Sequence, residues 1–198
     1  LISPDKVPNR WEEFLRPKFK GRKFIVDNRT QALPSLIPVM GKEWDLDYAR
    51  KLAAQEPVWA RGLSRAISSV TAGEYALHQM TNYHSTVRAM KKDPTGTLQF
   101  KIVEPVPVRL TLAEAVYQGA RHPYAALLFL EYVASPEGQA ILDEYGPLAS
   151  SIYSPGSHNE KLLKGKKLAV STAEHFEKQE EWRNQIVEAF GFPNAIIK

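Results

Sequence analysis

Tyr83 and His84 stand side by side in the stretch Asn82-Tyr83-His84 and together offer a phenolic oxygen and an imidazole nitrogen. Such a pair suits a hard or borderline metal ion, or supplies a hydroxyl donor to an anion. Asn82 is a good cap for a helix over residues 82–92, which directly follows an expected strand over residues 75–81. In α/β folds ligands gather at the carboxyl ends of strands, where free amides at helix starts favour negative charge. The other reading of the same residues is a surface tyrosine beside a helix-capping histidine, and spacing alone favours it. Arg29, just past Asp27, would pair with an anion bidentately or else stand exposed and structurally neutral.

Other chemistries find little support. The chain has no cysteine, which removes disulfides, thiolate zinc sites and thiol nucleophiles together. His78, His84, His122, His158 and His175 are scattered, and none pairs with a second ligand at helical spacing. There is no phosphate-binding glycine loop and no His-Glu-x-x-His pair, while Gly62-Leu63-Ser64-Arg65-Ala66 lacks the second glycine of a nucleophile elbow. A hydrolase using His84, Ser85 and Asp93 has no supporting motif. Asn28-Arg29-Thr30 matches a glycosylation acceptor, a pattern too short to carry weight. The residues point to binding rather than catalysis, so the chain is not expected to be an enzyme.

Composition is that of an ordinary globular chain: 198 residues, 43% hydrophobic, 24% charged, formal charge +4. Two basic clusters occur, one in residues 16–23 and one comprising Lys161, Lys164, Lys166 and Lys167. Neither is interleaved with stacking aromatics, so they read as solvated faces and no nucleic-acid partner is expected. No apolar run approaches the roughly 20 residues that span a bilayer. Leu1-Ile2-Ser3-Pro4 does not read as a signal peptide.

The elements that would position these residues alternate in kind. Trp11, Phe14 and Leu15 lie at helical spacing behind Asn9, and Lys23-Phe24-Ile25-Val26-Asp27 reads as a buried strand. Helices are expected over 30–40 and 43–54, the second with a Trp44, Tyr48, Leu52 stripe. A strand over 57–60, a helix over 63–72 ended by Gly73, and strands over 99–103 and 112–117 follow. Residues 123–134 are apolar almost all round and predict a helix buried on most sides. Ser135 and Pro136 open the next helix, and Ser171 with Glu174 predicts a capping box for a long helix to about residue 190. This alternation predicts an α/β fold, with Glu104-Pro105-Val106-Pro107 as the crossing between lobes.

Three phrases carry a resemblance. Pro8-x-x-Trp11-Glu12-Glu13-Phe14-Leu15, then Lys18-Phe19-Lys20-Gly21-Arg22 and a strand ending in Asp27, resemble the opening of the second lobe in ferric-ion-binding periplasmic solute-binding proteins of ABC importers. Gly73-Glu74-Tyr75-Ala76 resembles their Gly-Glu turn into a strand. The most specific match runs from Gln118-Gly119-Ala120-Arg121-His122-Pro123 to Ser135-Pro136-Glu137-Gly138-Gln139.

The resemblance implies an α/β fold of the type II periplasmic-binding kind: residues 1–103 as the second lobe, 104–150 as part of the first, and 151–198 as a helical tail packing back on both. It implies a periplasmic binding component that closes on its solute and hands it to an inner-membrane permease. The family's adjacent tyrosine pair, which coordinates ferric iron, falls on Tyr83 and His84, so Fe3+ is an expected cargo with Tyr83 its possible ligand. Loss of the second tyrosine removes an anionic oxygen, which makes a small anion correspondingly more plausible. Family members extend further at the N-terminus, so a missing first-lobe segment, a second chain or a homodimer is expected to complete the cleft and to cover apolar surface after about residue 101. A truncated, non-transporting interaction protein of the same fold is the alternative.

Overall fold

The computed structural model describes residues 6–28, 31–109, 114–146 and 149–192. They form two compact units, one from residues 1–109 and 167–198, the other from 110–166.

The first unit is built on a three-stranded parallel sheet in the order β2-β1-β3, with β1 Ile25–Asp27, β2 Val58–Ala60 and β3 His78–Gln79. All three residues of β1 are buried, as a strand covered on both faces requires. Phe24 and Val26 enter a core with Leu33, Leu36, Tyr48, Leu52, Met80, Trp182 and Ile186. Ile25 points to the opposite face, where α3 (Leu63–Thr71) packs on the sheet and buries Ala66 and Ile67.

Helices α1 (Ala32–Met40) and α2 (Lys42–Ala53) join β1 to β2. Pro34 falls in the first turn of α1, where its missing amide would have had no partner anyway. Pro38 lies inside the helix, which is held by the burial of Leu33, Leu36 and Ile37 and ends at Gly41, φ 86°. The expected stripe on α2 is real: Trp44 stacks on Tyr48 at 5.1 Å, and Tyr48 and Leu52 are buried. The Tyr48 hydroxyl donates to the Trp11 carbonyl and accepts from Gln79 Nε2, tying α2 to the N-terminal segment and to β3.

After α4 (Tyr83–Met90), the chain reaches β4 (Val106–Arg109), which pairs in parallel with β5 (Leu168–Ser171). The long helix α8 (Ala173–Ala189) packs on α1 and α2 through Trp182 and Ile186. The second unit holds α5 (Pro123–Ala134), α6 (Pro136–Tyr145) and α7 (His158–Leu163).

Several expectations are corrected. The strand over 75–81 shrinks to two residues, and 99–103 forms none, because the Leu98 amide is spent on the Asp93 carboxylate instead of a ladder. The strand over 112–117 is absent at 114–117, and its first two residues lie outside the described ones. The Trp11–Leu15 segment is a 3-10 helix whose N-cap is Arg10, not Asn9. The α8 capping pair is Thr172 with His175, because Ser171 is buried at the end of β5 and accepts a hydrogen bond from Gln179. Helix α5 is the largest departure: it forms as expected, yet none of its residues is buried.

Candidate functional site

The three parallel strands end along one edge, with Asp27 opposite Ala60 and Val26 opposite Gln79. Each strand leads within a few residues into a helix, β1 into α1, β2 into α3 and β3 into α4, and α3 packs on all three strands. From β1 the chain passes to β2 on one side and then crosses to β3 on the other, which makes the end of β1 a topological switch point. Two turns carry the local geometry. Gly62, φ 103°, turns β2 into α3, and Met80 adopts φ 64° between β3 and α4. That conformation is costly for a methionine, and burial of its side chain in the core offsets it.

The helix starts differ in how their amides are met. Gln31 and Gly62 supply no side-chain cap bond to α1 or α3. Asn82 does cap α4, accepting from the Ser85 amide at 2.7 Å, as its sequence position predicts. Buried Thr86 fastens the same turn, its hydroxyl 2.9 Å from the Asn82 carbonyl and 3.1 Å from the Thr81 hydroxyl.

Tyr83 is the first residue of α4 and is half-buried. Its ring meets Phe100, and burial pushes its hydroxyl above the ordinary tyrosine range, so the phenol holds its proton. His84 follows it and is exposed. Arg29 lies outside the described residues. Tyr83 and His84 thus belong to the β3–α4 turn, and Asp27 and Asn28 to the adjacent end of β1.

Three residues at or near this edge escaped the motif search. Asp27 is buried at the end of β1. Asn28 presents a buried Oδ1 without a hydrogen-bond partner, and His78 holds both ring nitrogens buried without one. Burial pulls the His78 imidazole down to about 4, opposed by the negative charge of Asp27, so it is neutral at ordinary pH. Only the strand end at Asp27 was visible in the sequence; nothing there singles out an orphaned amide oxygen. Among the described residues, no three His, Asp or Glu side chains gather as a metal site.

The edge thus offers two helix starts without a side-chain cap, a protonated phenol and an unpartnered amide oxygen. The model of the bacterial extracellular solute-binding protein family matches residues 3–147, and the chain belongs to that family. No curated protein matches the chain. Among the described residues, no helix is long and apolar enough to cross a membrane.

Proposed function

We propose that this protein is the periplasmic solute-binding component of an ABC importer, of the type II fold, and that its solute is a small anion. One feature carries the choice of solute: α1, α3 and α4 each begin within a few residues of the carboxyl end of a strand of the β2-β1-β3 sheet. Partial positive charge from the three helices favours an anion and opposes a cation there. Tyr83 donates its hydroxyl, Arg29 pairs with the anion, and Asn28 Oδ1 takes a hydrogen bond from a protonated group on the solute. His84 rims the site. The partner is an inner-membrane permease, and no chemical step is assigned.

Ferric iron is the competing cargo. It requires the Tyr83 phenolate, and burial opposes that ionisation. Thermal-shift measurements with sulfate, phosphate, short carboxylates and a ferric salt separate the readings. A rise in Tm with one anion, reduced in Tyr83→Phe, is the expected result. A visible charge-transfer band on adding the ferric salt, lost in Tyr83→Phe, overturns the anion in favour of iron. Indifference to every solute leaves the non-transporting interaction protein as the better reading.

A further inference from the structure

The segment 28–31 links the end of β1 to the start of α1 and is fastened at both ends. The Asn28 amide donates to the Ala60 carbonyl of β2 at 3.1 Å. At the other end, Gln31 Oε1 accepts from Arg109 Nη1 at 2.7 Å, and Arg109 is the last residue of β4. The two partners of this second bond lie 78 positions apart in the chain. They meet because α1 packs on both β4 and β5, the parallel pair that ends at Arg109 and Ser171.

The chemistry of α1 alone does not account for the bond. Gln31 stands at the N-cap of the helix, yet its side chain makes no cap bond there. A capping residue turns its oxygen onto the first amides of its own helix. Gln31 instead offers its oxygen to a guanidinium from another strand, and the charge on that donor strengthens the bond. Arginine suits the task, because its planar guanidinium donates in a fixed direction, unlike a lysine ammonium on its flexible stem.

We infer that Arg109 is a positioning residue of the solute site. Through Gln31 it holds the segment 28–31, which carries Asn28 and Arg29, in the arrangement that receives the anion. The inference rests on the anion reading above and assigns Arg109 no contact with the solute. A segment tethered before binding loses less freedom when the solute arrives, so the tether raises affinity without adding a contact.

Variants of the full chain test this. Gln31→Ala removes the bond and leaves every charge in place, whereas Arg109→Met removes the bond and the charge; neither takes a cap bond from α1. In the solute-free protein, backbone relaxation NMR is expected to show the Gln31 order parameter falling from about 0.85 toward 0.6 in both variants, with β1 unchanged. Titration calorimetry with sulfate, phosphate and short carboxylates follows, in about 0.15 M salt to screen remote charge. Each variant is expected to bind the anion about fivefold more weakly than wild type, and the double variant no more weakly than either. Arg109→Lys, which keeps a charged donor, is expected to recover part of the loss. An unmoved order parameter, or full affinity in Gln31→Ala while wild type binds, overturns the inference and leaves the anion reading standing. A loss in Arg109→Met far beyond that in Gln31→Ala overturns it as well, since Arg109 would then touch the solute itself. Wild type that binds none of these anions overturns the anion reading and the inference with it.

Discussion

The ring of Tyr83 meets that of Phe100 edge to face, with centroids 4.9 Å apart and planes at 72°. Phe100 is brought there by a loop organised on Asp93, whose carboxylate accepts from the Thr95 amide at 3.0 Å and the Leu98 amide at 2.8 Å. A residue 17 positions further on thus sets the surroundings of the tyrosine at the head of α4. Phe100→Ala is expected to bring the Tyr83 hydroxyl back toward its ordinary range, because burial is what raises it. Ultraviolet phenolate titration, differenced against Tyr83→Phe, measures this. An unmoved titration would mean that Phe100 does not shield the phenol.

Asp45 makes the first unit lose stability as the pH rises from about 4 to about 8. Its side chain is fully buried on α2 with both carboxylate oxygens unpartnered, and burial pushes it up to about 8. The unfolded chain loses this proton near an ordinary carboxylate value, while the folded chain keeps it. Stability is therefore highest in acid on this account and falls as pH rises through the window up to about 8. Asp45→Asn carries no charge in either state, so its advantage over wild type should widen from pH 4 to pH 8, reaching on the order of 4 kcal/mol near neutrality. Urea unfolding at several pH values gives the difference directly, and parallel curves would show that Asp45 is ionised in the fold.

His78 acts in the opposite direction. Its folded value, about 4, lies below the ordinary 6.5, so the unfolded chain binds the proton first. Stability held above pH 6.5 is lost as pH falls toward 4, at up to about 1.4 kcal/mol per unit. His78→Gln should remove this loss on acidification while leaving the opposite fall with rising pH that Asp45 sets. The imidazole resonance of His78, followed by NMR, should titrate near 4; a normal midpoint would show that water reaches the ring.

These groups mark how far the sequence could be read. Strand β1, the α2 stripe and the Asn82 cap were legible because each rests on neighbours a few residues away, where periodicity and capping chemistry operate. The turn to α4 was legible for the same reason, and so were Tyr83 and His84 as its contents. Asn28, His78 and Asp45 were not, since an orphaned atom is defined by what fails to approach it from distant elements. The Thr172 and Ser171 exchange has a similar origin: both are plausible caps locally, and Gln179, a helical turn and more away, takes the serine. Helix α5 shows the limit most plainly, because an apolar pattern states that cover is needed without stating what supplies it.

Gly138 is the point on which the α5–α6 corner depends. A single residue, Ser135, separates the helices, and its hydroxyl accepts from the Gly138 amide at 3.2 Å. A β-carbon at 138 would sit against the Tyr132 carbonyl oxygen and 2.9 Å from the Val133 α-carbon, backbone atoms that cannot swing aside. Gly138→Ala gains about 1 kcal/mol of helix propensity and loses more by forcing the two helices apart. A net loss of about 1–3 kcal/mol is expected, read as faster amide exchange across α5 and α6. Gly146 is the control, since its added β-carbon would meet only the Leu142 carbonyl oxygen at an ordinary 3.6 Å. Gly146→Ala should leave exchange in both helices unchanged; an equal response at the two positions would show that the corner does not rest on close approach at Gly138.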